Sequence, residues 1–337
     1  MRSFFSILIF GCLLLISCNT SSEKAGLKKT GNAALDQLNA LIQADTSDHT
    51  LFYERAKLYY DNSYFDGAIE DLEKAIELDS LVPDYYHLLS DAYLDYYRSK
   101  EALLTMEQCV KLFPERIPSM LKLSETQLIL KQHDNSLQTC SNILTINPQN
   151  AEAYFMMGMN LRSTQDLERA KVAFKKATEL DPELIDAWII LGQIFEDEND
   201  PRALDYYDAA SNIDMSNPLP LHSKAFYLQN NGDIEAALKI YRQINIVDKN
   251  YLDAYLNSGI LYMSMDSLDK AFEQFDIMCK IKPQLHLSYY YRGMIHEAKN
   301  NFEQAKADYS TCLKLNTKYA KAQQALNELE SRMQESS

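Results

Sequence analysis

The chain has 337 residues, with 33 Lys and Arg against 48 Asp and Glu and a formal charge of −15. So acidic a surface repels phosphate backbones, which argues against nucleic acid as a partner and leaves basic or apolar protein segments. Gly and Pro are scarce, nine of each, and such a composition leans towards helix.

The first element is residues 1–18, MRSFFSILIFGCLLLISC. Arg2 supplies a positive start, and Phe4 to Ile16 form an apolar stretch too short to span a bilayer stably. That pattern predicts a cleaved leader. Leu15-Ile16-Ser17-Cys18 resembles the lipobox of bacterial lipoproteins: branched apolar, apolar, small, Cys. The resemblance implies removal of residues 1–17 and a lipid on Cys18, with two or three acyl chains giving a stable membrane anchor. The other reading is an ordinary secretory leader with a chance Cys. Asn19 stands where, in the better-known sorting rule, an Asp retains lipoproteins in the inner membrane, so the outer membrane is the expected address. Residues 18–30 then read as the lipidated Cys and a polar, flexible tether.

Residues 33–46 read as a lone helix with Ala34, Leu38 and Leu41 on one face. Beyond it one pattern recurs. Ala68, Ala102, Ser136 and Ala170 are 34 residues apart; Ala203 follows after 33, and Ala237, Ala271 and Ala305 resume the step of 34. Four residues after each comes a larger or softer side chain: Leu72, Met106, Cys140, Phe174, Tyr207, Tyr241, Phe275, Tyr309. Three further on stand Ala75, Cys109, Ile143, Ala177, Ala210, Ile244, Met278 and Cys312. These offsets put all three residues on one helix face. Each such helix has a partner upstream, marked by Tyr154, Met157, Gly158 and Leu161 in one copy and by Trp188, Leu191, Gly192 and Phe195 in the next. Pro114, Pro148, Pro182 and Pro283 follow the second helix, where a helix must stop.

A helix–turn–helix with this period, and with small and aromatic residues at these places, resembles the tetratricopeptide repeat (TPR) family. The best copy is 151–184, with Tyr154, Gly158, Ala170, Phe174, Ala177 and Pro182 at the family's positions 4, 8, 20, 24, 27 and 32. Eight copies are read: 49–82, 83–116, 117–150, 151–184, 185–217, 218–251, 252–285 and 286–319. The expected fold is therefore all-α: a TPR solenoid over 31–335, a right-handed superhelix with a leading half-repeat and a polar capping helix at 320–335. Some positions depart from the pattern. Arg55 and Lys224 occupy apolar slots, and the third copy has Gln127 and Ser136. The copy at 185–217 is one residue short, with Asp200-Pro201 in its inner turn, so the array is expected to be least regular between 199 and 221.

In the TPR family, ligands usually lie in a concave groove lined by the first helices, at positions 2, 5, 9, 12 and 13. Carried over, early copies offer Tyr53, Lys57, His87, Asp91, Asp95, Leu121 and Glu125. Later copies offer Phe155, Met159, Ile189, Gln193, Phe226, Leu256, Ile260, Met263, Tyr290 and Met294, an apolar surface bordered by acids such as Glu196 and Asp197. That surface suits an amphipathic helix or an extended apolar segment. The alternative is that these side chains pack against each other or the capping helix. His87 and Asp91 are either a polar recognition point or a solvated pair. The Lys/Asn/Arg clamp of chaperone-tail-binding TPRs is missing.

Little in the chain suggests catalysis. It has no HExxH, no Cys/His cluster with zinc spacing, no Gly-rich phosphate loop and no GxSxG, so neither enzyme activity nor a metal or cofactor is expected. The acidic run from Glu196 to Asp200 lacks the Gly and distal Glu of a calcium loop and reads as a solvated helix end. His296 reads as a core histidine. Cys109, Cys140, Cys279 and Cys312 sit at packing positions. The pairs Cys109–Cys140 and Cys279–Cys312 are conceivable disulfides, but helix spacing of about 8–10 Å favours buried thiols. The expected function is a lipid-anchored adaptor that binds other proteins in the bacterial cell envelope. The alternative is a periplasmic holdase for apolar client segments.

Overall fold

The computed structural model describes residues 30–335; the leader, Cys18 and all but the last residue of the tether lie outside the described residues. Helix α1 (Ala33–Ala44) comes first. It is followed by α2 (His49–Asp61), α3 (Phe65–Leu78), α4 (Pro83–Asp95), α5 (Ser99–Leu112), α6 (Ile117–Ile129) and α7 (His133–Ile146). Next come α8 (Ala151–Ser163), α9 (Leu167–Leu180), α10 (Ile185–Asp197), α11 (Ala203–Ile213), α12 (Pro218–Asn230) and α13 (Ile234–Val247). The chain ends with α14 (Leu252–Ser264), α15 (Leu268–Ile281), α16 (His286–Ala298), α17 (Phe302–Leu315) and α18 (Ala320–Glu335). No strand occurs among the described residues. From α2 to α17 consecutive helices pair in a TPR-like solenoid. Two compact units are distinguished, one ending at Leu112 and the other beginning at Phe113.

The first helix of every pair has 13 residues and the second 14, except α11, which has 11. That exception lies where the missing residue and Pro201 were expected to disturb the array. Its packing face is kept: Ala203, Tyr207 and Ala210 are all buried.

Both turns are built from local hydrogen bonds. In each pair the residue at position 15 takes a positive φ: Ser63, Tyr97, Lys131, Gln165, Asn199, Gly232, Asp266 and Asn300. The next N–H then reaches back to the carbonyl at position 11, as from Asp166 to Leu161 at 2.9 Å and from Asn301 to His296 at 2.8 Å. This is the Schellman ending, which satisfies carbonyls that the helix leaves orphaned. Between pairs, an Asp or Asn side chain accepts the N–H two residues on: Asp79 from Leu81, Asn147 from Gln149, Asp181 from Glu183, Asp248 from Asn250. These Asx turns stop one repeat and aim the next.

Within a pair, residues at positions 8 and 24 trade size. Gly158, Gly192, Gly259 and Gly293 face the rings of Phe174, Tyr207, Phe275 and Tyr309. A Cβ on Gly192 would lie 2.4 Å from Tyr207 Cε1, and one on Gly259 would lie 2.5 Å from Phe275 Cζ. Where position 8 is larger, position 24 is mostly smaller: Ala56 with Leu72, Ser90 with Met106, Ser124 with Cys140. All four of those rings are essentially inaccessible to solvent. Burying each contributes roughly 2–3 kcal/mol.

The departures from the repeat pattern are resolved by pairing. Arg55 donates to both carboxylate oxygens of Asp71, at 2.6 and 2.7 Å, and to Asn39 of the preceding helix at 2.6 Å. Arg292 does the same with Asp308 and Asp276. Lys224 therefore does not sit in an apolar slot: its ammonium pairs with Asp208 at 2.5 Å. In the third pair, Thr139 donates to Gln127 at 2.8 Å, and Ser136 donates to the Ser124 carbonyl at 2.8 Å. A buried polar side chain without such a partner would cost free energy.

Candidate functional site

The first helices α8, α10 and α12 bring one set of side chains together. Arg162, Gln193, Glu196, Asp197, Ser223 and Phe226, with Tyr207 and His222, line a hollow of about 340 Å³. Its floor is fixed by hydrogen bonds. Tyr207 donates to Glu196 Oε2 at 2.5 Å, and Arg162 donates to Gln193 Oε1 at 3.1 Å. Burial pushes the Glu196 carboxyl up from its ordinary value. The Tyr207 hydroxyl is pushed up too, by burial first and then by its hydrogen bond to Glu196. Tyr309 repeats the arrangement, donating to Glu297 at 2.7 Å, and Tyr241 donates to Gln229 at 3.1 Å. An acceptor at position 12 thus accompanies a tyrosine at position 24. The two phenylalanine copies have Arg162 and Met263 there instead.

Phe226 is 42% exposed, and its ring lies 6.4 Å from that of His222 in a stacked arrangement. His222 Nε2 is 3.1 Å from Asn257 Nδ2, and burial pulls its imidazole below the ordinary value. A neutral ring whose Nε2 accepts from Asn257 satisfies both. The hollow therefore offers two carboxylates, one guanidinium and an aromatic shelf. It can hold an extended segment by polar contacts and one stacked side chain.

The other predicted groove residues do not form one apolar strip. Ile189 is only 5% exposed, a correction to its place on the surface: it is core wall. Phe155 and Met159 are half-buried against the cluster around Phe174, and the Phe155 ring meets the Phe174 ring edge-on at 5.7 Å. Leu256, Ile260 and Met263 pack against the cluster around Phe275. Tyr290 and Met294 pack with Leu326 and Met333 of α18 and, together with Lys321 and Arg332, line a separate hollow of about 460 Å³. The apolar groove expected from the sequence is thus corrected at its centre, which is polar. A markedly apolar hollow, about 490 Å³, lies instead between α8 and α9, among Tyr154, Met157, Leu161 and Val172.

In the first unit His87 and Asp91 are half-buried on α4. Lys57 pairs with Glu54 at 2.6 Å and sits 4.9 Å from the Tyr53 ring. Asp95 accepts from Tyr60 at 2.6 Å. The acidic run is spoken for at three places: Glu196 by Tyr207, Glu198 by Lys171 at 2.9 Å, and Asp200 by Arg202 at 2.6 Å. His296 is half-buried beside Phe272, with its ring 5.1 Å away and its Nδ1 buried without a partner. Cys109, Cys140, Cys279 and Cys312 are buried thiols, and none of the four is in a disulfide. Sequence reading passed over Arg162, His222 and Ser223. The signal for His222 was its place at position 5 of a copy whose neighbours carry aliphatic residues there.

Comparison with known proteins finds similarity to repeat proteins. The tetratricopeptide repeat model matches residues 49–80, 151–184 and 287–319. The Hsp70-Hsp90 organizing protein of Triticum aestivum is 20% identical over 259 residues, covering 76% of this chain and 39% of that protein. Tetratricopeptide repeat protein 5 of Mus musculus is 23% identical over 228 residues, covering 60% and 51%. The chain thus spans about half or less of the length of these relatives. Among solved structures, the Cut9–Hcn1 hetero-tetramer of the APC/C is similar with a TM-score of 0.46 and 16% identity, over 88% of this chain and 58% of that one. Three helix pairs match the tetratricopeptide repeat model directly, and the other pairs keep the same positive-φ turn.

Proposed function

We propose that this chain is a protein-binding scaffold of the bacterial cell envelope, held at a membrane, the outer one in the first instance, by lipid on Cys18. Tetratricopeptide repeats generally mediate contacts between proteins. The observation that carries the reading is the hollow at Glu196, Asp197 and Phe226, where a half-exposed ring stands beside fixed hydrogen-bonding groups. Its mixed character favours an adaptor for a defined segment over a holdase, which needs a broad apolar surface. No helix among the described residues is long and apolar enough to cross a membrane. The lipobox-like Leu15-Ile16-Ser17-Cys18 supplies the anchor in this reading.

Two measurements test it. Crosslinking in cells from a photoreactive residue at Phe226 is expected to capture one saturable protein partner, and Phe226→Glu is expected to weaken that complex by about 2 kcal/mol or more. Its effect on stability is expected to stay within about 1 kcal/mol, because the side chain is already half in water. Capture of many unrelated proteins would favour the holdase; an unaltered complex would move the site elsewhere. Separately, mass spectrometry of the protein from its native membrane is expected to find Cys18 as a lipidated amino terminus. An unmodified Cys18 thiol sinks the anchor.

A further inference from the structure

We propose a second binding site, on the turn edge of the first two repeats, that takes basic protein segments on an aromatic row flanked by unneutralised carboxylates. Tyr97 is the first sign. It occupies position 15 of its repeat with φ 60°, a conformation that costs any L side chain free energy. The other repeats fill this place with Ser63, Lys131, Gln165, Asn199, Gly232, Asp266 and Asn300, all polar or glycine. Only here is the residue aromatic, and it is 93% exposed. A tyrosine in this place helps neither the turn nor the core, and strained, solvent-facing side chains cluster at functional sites.

Tyr97 follows Tyr96 in the chain, and Tyr96 ends a row of rings. The rings of Tyr60 and Phe65 are 5.9 Å apart, and those of Phe65 and Tyr96 are 6.1 Å apart. Tyr96 is itself 40% exposed. Two carboxylates are stitched into the row: Asp95 accepts from the Tyr60 hydroxyl at 2.6 Å, and Asp66 from the Tyr96 hydroxyl at 3.0 Å. Neither has a cation as partner among the described residues. Their hydrogen bonds fix the carboxylates in place without cancelling their charge.

Charge decides the occupant. The chain carries −15, and a guanidinium or ammonium gains from both the ring faces and the acids. The same unit already uses that chemistry on itself: Arg98 lies 4.7 Å from the centre of the Tyr93 ring, and Lys57 lies 4.9 Å from that of Tyr53. A neutral sugar can stack on such a row but draws nothing from the charge.

The test uses the full chain and a fluorescein-labelled peptide of alternating Arg and Gly, read by anisotropy. Wild type is expected to bind it, more weakly as salt rises. Tyr97→Asn keeps a residue that tolerates positive φ and removes the ring, and is expected to weaken binding roughly 3- to 30-fold. Tyr97→Gly should do the same while raising the melting temperature by about 1–3 °C, since the strain is relieved. Loss of binding with a gain of stability excludes misfolding as the cause. Asp66→Asn with Asp95→Asn is expected to remove most of the salt dependence. Phe226→Glu, in the hollow on the first helices, should leave this binding unchanged, which separates the two sites. The proposal is overturned if wild type does not bind the peptide, or if both Tyr97 variants bind as wild type does. It is also overturned if Phe226→Glu abolishes binding, or if cellohexaose binds the row more tightly than the peptide.

Discussion

The repeat is enforced at one contact, between the residue at position 8 of the first helix and the ring at position 24 of the second. Gly192 shows how narrow the tolerance is: a Cβ there would lie 2.4 Å from Cε1 and 2.6 Å from Cδ1 of Tyr207. That ring cannot swing away, because it is fully buried and its hydroxyl is held by Glu196 at 2.5 Å. Gly192→Ala gains helix propensity, worth about 1 kcal/mol, but overpacks the pair. The net effect is expected to be a loss of about 1–3 kcal/mol, measured by denaturant unfolding; a neutral result would show that the pair can part. Ala225 and Tyr241 hold positions 8 and 24 of their pair and lie in one buried cluster, so Ala is tolerated where the helices were built for it.

A titration at the same scale reports on the hollow. His222 is flanked by Asn257, Phe226, Tyr241 and Tyr251, with Asp253 as the nearby charge, and burial lowers its pKa despite that aspartate. In the folded protein the ring therefore protonates at lower pH than in the unfolded chain. Its contribution to stability is full above the ordinary imidazole value near 6.5 and is lost as pH falls below that towards the folded value. His222→Gln keeps an acceptor for Asn257 and cannot titrate. Its melting temperature is expected to fall less than that of wild type between about pH 7.5 and about pH 5.5. Parallel curves for the two proteins would mean that His222 is solvated in both states.

At the scale of elements, helix pairs were legible because each mark of the pattern records a contact inside one pair. Ala170, Phe174 and Ala177 are buried on α9 where their spacing put them. The exposure of groove positions was less legible, because it depends on the neighbouring pair. Ile189 and Phe226 read alike as apolar groove residues, yet one is 5% exposed and the other 42%. The ion pairs were readable in a way that the apolar stripe concealed. Asp71 and Asp308 share position 23, which elsewhere holds Thr105, Thr139, Ala173, Tyr206, Ile240 and Gln274, and these are two copies with arginine at position 7. The positive φ at position 15 left almost no trace, since only one copy uses glycine for it.

At the scale of the whole molecule, the period of 34 runs past residue 112 without a break, yet the chain divides there into two compact units. A period records what each repeat is, whereas a division depends on how strongly one repeat holds the next. In a repeat protein, stability is a sum of repeat and nearest-neighbour terms, so damage should stay local. Phe275 tests this, being fully buried at the centre of the cluster around α14, α15 and α16. Phe275→Ala removes a ring that its neighbours cannot refill and is expected to cost roughly 3–5 kcal/mol. Hydrogen exchange followed helix by helix should then show faster exchange in α14, α15 and α16, with α2, α3 and α4 as slow as in wild type. If all helices lose protection together, the two units fold as one cooperative body, and the nearest-neighbour account of this chain fails.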